Sequence, residues 1–103
     1  MNDFEQLKES FRKSKKWEVF RKFKYAESSK DFVTHKRLKN SYNLHHLDLN
    51  PDHYTDISNP DHFENLNSET HSIVHKLYKY YKKDPQVLDR LKDLLDRMVN
   101  INS

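Results

Sequence analysis

The chain has 103 residues, a formal net charge of +3, and neither cysteine nor glycine. Without Cys there is no disulfide scaffold and no Cys-based zinc knuckle, and without Gly there is no phosphate-cradling P-loop or dinucleotide fingerprint, so no nucleotide cofactor is expected. Charged and apolar residues each make up 34%, but the aromatic share of 13% is more than a disordered chain of this charge usually carries, which points to one small folded domain over 1–103 whose modest core a bound metal could reinforce.

The charge is segregated. Residues 1–40 hold 12 Lys or Arg against 6 Asp or Glu, residues 41–70 hold no Lys or Arg and 6 acids, and residues 71–103 hold 7 against 4. A basic amino-terminal third suits a polyanion, with Arg12, Lys13, Lys15 and Lys16 its densest cluster; the plainer reading is a solvated helix face. No apolar run is long enough to span a membrane and the start lacks the regions of a signal peptide, so a cytoplasmic protein is expected.

Along the chain, Phe4, Leu7 and Phe11 form one helical stripe, and the register then shifts to Trp17, Phe20 and Phe23 or Lys24. The shift predicts two short helices, or one kinked helix, over the basic segment 1–29, with Ser14 as an N-cap at the break. Asp31-Phe32-Val33-Thr34-His35 is β-prone and reads as a short extended segment, and Tyr42 to Leu49 as a strand. Asn50-Pro51-Asp52-His53 recurs nine residues later as Asn59-Pro60-Asp61-His62, which predicts two turns in a long loop without regular elements; the two Asp-His pairs are an alternative second metal site. Phe63 to Asn67 returns as a second strand. Ser68 then caps a helix to about Lys83 on the stripe Val74, Leu77, Tyr78 and Tyr81. Asp84 and Pro85 read as N-cap and first residue of a last helix, 84–99, with Leu88, Leu91, Leu94, Leu95 and Met98 as its apolar stripe, one that a monomer's own core would consume, with a dimer through it as the alternative.

The histidines carry the chemistry. His71 and His75 stand four apart, so both imidazoles lie on one helical face and can reach one ion. A third imidazole from the hairpin would complete a three-histidine site with open positions. Only one of His45 and His46 can be that ligand, because consecutive strand residues point to opposite faces, and the other is left for proton transfer near neutral pH. Alternation alone does not choose between them.

Asn43-Leu44-His45-His46-Leu47-Asp48, then Phe63-Glu64-Asn65-Leu66-Asn67, then Thr70-His71-Ser72-Ile73-Val74-His75 resemble the HNH endonucleases and their ββα-metal motif. The histidine order is similar to that of the colicin nuclease domains, and Lys16-Trp17-Glu18-Val19-Phe20-Arg21 looks like the helix that precedes the motif in small phage members. The resemblance implies an α+β, mostly helical fold with a hairpin-helix motif over 42–83 flanked by amino- and carboxy-terminal helices. It makes His45, His71 and His75 the ligands of one divalent ion (Zn, Ni, Mn or Mg, the imidazole set favouring Zn or Ni over Mg) and His46 the general base. Asn65 would brace the hairpin, or else supply a left-handed turn residue where no glycine is present. The implied activity is hydrolysis of DNA phosphodiester bonds leaving 5′ phosphates, with Arg12, Lys13, Lys15, Lys16, Arg21, Lys22 and Lys24 on the phosphate backbone.

Two features of the chain depart from the family: the paired Cys motifs are absent, and the acidic segment 41–70 would repel nucleic acid. They motivate a catalytically silent alternative, the same fold kept to bind DNA or a protein partner such as a host defence factor. In a third version the ion is structural, with His53 or His62 as its fourth ligand.

Overall fold

The computed structural model describes residues 2–103 and is α+β, mostly helical. Its elements are α1 (Asp3–Arg12), α2 (Lys15–Glu27), β1 (Asn43–His46), β2 (Phe63–Leu66), α3 (Ser68–Tyr81) and α4 (Val87–Ile101). No described helix is long and apolar enough to cross a membrane. The chain divides into two compact units, Met1–His71 and Ser72–Ser103, with the division inside α3.

The basic segment forms two helices. Asn2 caps α1 by accepting the Glu5 N–H at 2.8 Å, and the Ser14 hydroxyl accepts the Trp17 N–H at 3.2 Å to start α2, so the break falls where the apolar register shifts. Beyond α2 the expected extended segment is a turn. Asp31 Oδ1 accepts the N–H groups of Val33 and Thr34, and the chain reverses through His35 at φ 59°, a left-handed position that a glycine-free sequence must assign to another residue. Local side-chain hydrogen bonding here outweighs the β propensity of Phe32, Val33 and Thr34.

β1 and β2 pair antiparallel, Asn43 opposite Leu66 and His46 opposite Phe63; both strands are shorter than the sequence predicts. Between them the repeated Asn-Pro-Asp-His tetrads form two 3₁₀ turns, Pro51–His53 and Pro60–His62. The Asn50 and Asn59 side chains cap these turns by accepting the Asp52 and Asp61 N–H groups at 2.9 and 3.1 Å.

Residues directly opposite share a sheet face, so Leu44, His46, Phe63 and Asn65 point one way and Asn43, His45, Glu64 and Leu66 the other. The first face carries the core of the first unit. Leu44 and Phe63 pack with Phe11, Trp17 and Phe20, and Tyr54 and Ile57 close the edge. The Phe20 and Phe63 rings meet edge to face at 4.9 Å. Each fully buried aromatic or aliphatic side chain of this kind contributes roughly 2 kcal/mol by area, before the entropy of ordering it.

In the second unit α4 begins at Val87, later than expected. Asp84 and Pro85 form a turn in which the Asp84 carboxylate accepts the Gln86 N–H at 3.1 Å. The α4 stripe is also not consumed in a core: Leu88, Leu94, Leu95 and Met98 are exposed and α4 has no buried residue. In α3, Val74 and Leu77 are half-buried while Tyr78 and Tyr81 are exposed, so the stripe is only partly covered.

Candidate metal centre

The histidines separate by strand parity. His45 lies on the face away from the aromatic core and is buried, and its ring meets that of His71 at 4.9 Å. His75 is one turn further along α3. One nitrogen from each of His45, His71 and His75 lies within 4.8 Å of the others, and this is the only such group of three or more His, Cys, Asp or Glu among the described residues. Burial grades across it from buried His45 through half-buried His71 to exposed His75, so the cluster has a floor and a side open to water. Imidazole nitrogens about 2.0–2.1 Å from a tetrahedral ion stand about 3.3 Å apart. The three nitrogens lie within 4.8 Å of one another, a range that includes this spacing, and the donor set fits a borderline divalent ion. The cluster could therefore hold one metal ion.

The start of α3, which positions His71, is anchored by a residue the sequence reading passed over. Asp31 is 0% exposed. While Oδ1 holds the 31–34 turn, Oδ2 accepts the Asn67 N–H at 2.8 Å, and the Thr70 hydroxyl also bonds the carboxylate. Burial alone would raise this carboxyl, but the Thr34 N–H, the Thr70 hydroxyl and the Asn67 and Val33 N–H groups override it and hold the pKa at about 2. The anion thus sits at the amino-terminal end of α3, where the helix dipole favours negative charge. Asn67 adds a second tie, its Oδ1 accepting the Lys39 N–H at 2.8 Å and its Nδ2 donating to the Arg37 carbonyl at 3.1 Å. The one readable signal was local: an Asp two and three residues before polar or β-branched positions is Asx-turn chemistry.

His46 leaves β1 on the core side. Its ring stacks on Tyr54 at 4.5 Å and on Trp17 at 5.5 Å, with the Phe63 edge at 4.8 Å. Nε2 lies 3.1 Å from the Tyr54 carbonyl. A carbonyl only accepts, so Nε2 carries the proton in this contact and Nδ1 keeps the lone pair, an assignment made from the partner. Burial pushes the His46 pKa below the ordinary imidazole value, against the opposing pull of the Tyr54 carbonyl and the Asp48 carboxylate. His46 also lines a cavity of about 310 Å³ with Asp48, His53, Asp56 and His62. None of His45, His71 and His75 lines it.

That cavity answers the alternatives built on the repeated Asp-His pairs. His53 Nδ1 is engaged with Asp48 Oδ2 at 2.8 Å, a contact that raises the His53 pKa. Neither His53 nor His62 joins the three-histidine cluster as a fourth ligand, and the two turns form no second cluster among the described residues, because the loop carries them to the side of the hairpin that His46 faces.

Asn65 is no turn residue: it lies within β2, and His35 is the only described residue with positive φ. Its Nδ2 donates to the carbonyls of Lys24 and Ser28 at 3.2 and 3.0 Å, tying the hairpin to the end of α2, while Oδ1 is buried without a hydrogen-bond partner among the described residues. The bracing is therefore to the preceding helix.

Of the expected phosphate-contacting residues, Lys24 is withdrawn. It is buried at 8% exposure, and Nζ donates to the Pro60 carbonyl at 3.0 Å and pairs with Glu27 at 3.3 Å. Its position in the Trp17–Phe20 stripe turns it into the interior, where its long side chain reaches a carbonyl of the second turn. Lys13 pairs with Glu9 at 2.9 Å, and Lys15 and Lys22 pair with Glu18 at 3.9 and 3.2 Å, all at exposed positions where such pairs contribute little. Arg12 and Lys16 are exposed, and Arg21 lies over the Tyr42 ring at 4.5 Å.

Comparison with protein-family models, with curated proteins and with solved structures found no match for this chain.

Proposed function

We propose that the protein is a metal-dependent phosphodiester hydrolase of the HNH type acting on DNA, with the hairpin and α3 as its ββα-metal motif. The observation that carries this reading is the convergence of His45, His71 and His75 within 4.8 Å. When bound, a divalent ion supplies positive charge for the transition state and the leaving oxygen.

The remaining steps belong to the chain's own groups. His46, neutral near pH 7 and protonated at Nε2 by its contact with the Tyr54 carbonyl, has Nδ1 available to take a proton from water. The water oxygen forms a bond to phosphorus, the bond to the 3′ oxygen breaks, and that oxygen takes a proton from solvent. In-line displacement puts nucleophile and leaving group on opposite sides of phosphorus. Consecutive positions at the end of β1 carry the two groups, His46 for the water and His45 with its partners for the leaving group. Trp17 and Tyr54 hold the His46 ring by stacking, and Asn65 fixes the hairpin against α2. Arg12, Lys16 and Arg21, together with Lys13, Lys15 and Lys22 released from weak surface pairs, contact phosphates.

Plasmid incubated with the full chain and Mg, Mn, Ni or Zn tests the reading. Nicking is expected with at least one ion, and both His46→Ala and His71→Ala should abolish it; absence of nicking with every ion refutes catalysis. The internal pairing of Lys13, Lys15 and Lys22 and the burial of Lys24 favour a second reading, a module in which the same ion is structural and the partner is a protein. It predicts a large fall in melting temperature with EDTA and biological activity that survives His46→Ala.

A further inference from the structure

A second concavity lies in the first unit, between α2 and the segment that leads into β1. It encloses about 450 Å³ and is lined by Glu18, Arg21, Lys22, Tyr25, Lys39 and Tyr42, among others. That volume is within the range of small-ligand sites and well above what one side chain fills. Its chemistry combines two elements. Tyr25 and Tyr42 rings lie 5.8 Å apart, and the Arg21 guanidinium lies 4.5 Å over the Tyr42 ring, so planar groups line the cavity. Three cations against one carboxylate give it net positive charge, and Lys22 already offsets Glu18 at 3.2 Å, which leaves Arg21 and Lys39 for an incoming anion.

We infer that this cavity binds one unpaired nucleotide of a single strand, its base stacked against the Tyr25–Tyr42–Arg21 group and its phosphate held by Arg21 and Lys39. An acidic peptide would satisfy the cations but has no use for the ring faces, and a base inside a duplex has its own faces covered by its neighbours, whereas an unpaired nucleotide uses both. The wall is also anchored. Ser68 Oγ donates to the Ser41 carbonyl at 2.6 Å, and the Asn43 amide donates to Ser68 Oγ at 3.4 Å, so the residues on either side of Tyr42 are fixed to the first residue of α3. Tyr42 precedes His45 by three residues, about 10 Å of extended chain, so a nucleotide in the cavity and the bond to be cut belong to neighbouring positions of one strand. The inference deepens the hydrolase reading by naming its substrate as an unpaired or locally opened strand, and it rests on that reading for its purpose.

Fluorescence anisotropy with the full chain in EDTA separates the two, because binding is then read without cleavage. A labelled oligothymidylate should bind more tightly than a blunt-ended duplex without a loop. Tyr25→Ala should weaken the single strand about tenfold, Tyr25→Phe should restore it, and Lys39→Glu, at an exposed position, should weaken it without loss of helix content. Equal affinity for duplex and single strand, an unchanged affinity in Tyr25→Ala, or equal binding of a polyglutamate peptide overturns the inference. Single-strand binding of the expected pattern without metal-dependent nicking leaves the cavity assigned and removes the hydrolase; nicking that Tyr25→Ala leaves indifferent to strand pairing does the reverse.

Discussion

Replacing Asp31 by Asn tests the account of how α3 and its histidines are held. The carboxylate is fully buried and accepts the N–H groups of Val33, Thr34 and Asn67 at 2.8, 2.9 and 2.8 Å, in addition to the Thr70 hydroxyl. Its pKa falls from 3.8 to about 2, so the charged form contributes about 2 kcal/mol to stability at neutral pH. The folded pKa lies below the unfolded one, so this contribution is fully present above about pH 5 and drains away as pH falls through the folded value. Asparagine keeps one acceptor oxygen but turns an NH₂ toward donors, so the cost at pH 7 should lie between about 2 and 4 kcal/mol. Urea unfolding followed through Trp17, the one tryptophan and a buried one, reads the unit that contains the substitution. The difference between parent and variant should be largest at pH 7 and shrink between about pH 5 and 2. A difference below about 0.5 kcal/mol at pH 7, the level of an ordinary surface change, or one that does not vary with pH over that window, refutes the argument. The variant should also bind Zn more weakly, since its loosened first turn carries His71.

Asn65→Asp should destabilise the protein more than Asn65→Ala, by up to about 3 kcal/mol, because a carboxylate would face the Lys24 and Ser28 carbonyls that the amide now satisfies; thermal melts that rank the two variants the other way refute that role. Lys24→Met should leave the salt dependence of DNA binding unchanged, since the ammonium is spent on the Pro60 carbonyl, whereas Lys16→Ala should reduce the slope of log affinity against log salt by about one; a reduced slope in Lys24→Met contradicts its burial. For the metal centre, saturating Zn at about 100 times its dissociation constant should stabilise the parent by about 2.7 kcal/mol. His75→Ala should lose most of that shift, and a retained shift places the ion elsewhere.

The sequence by itself determined what depends on neighbours in the chain. The change of apolar register at Ser14 predicts the break between α1 and α2, the tetrads at 50–53 and 59–62 predict their turns, and four-residue spacing puts His71 and His75 on one face of α3. Strand alternation likewise requires that His45 and His46 part company. Only the tertiary structure decided which of the two meets α3, because that depends on which hairpin face the aromatic cluster of α1 and α2 covers, and the cluster took the face of Leu44 and Phe63. The same holds for Asp31, whose partners Asn67 and Thr70 lie 36 and 39 residues away, and for Lys24, whose carbonyl partner Pro60 is 36 residues distant. A buried polar group is stabilised by whichever donors or acceptors the folded chain brings to it. Periodicity records where a side chain leaves the backbone, but its partner is set by how distant segments pack.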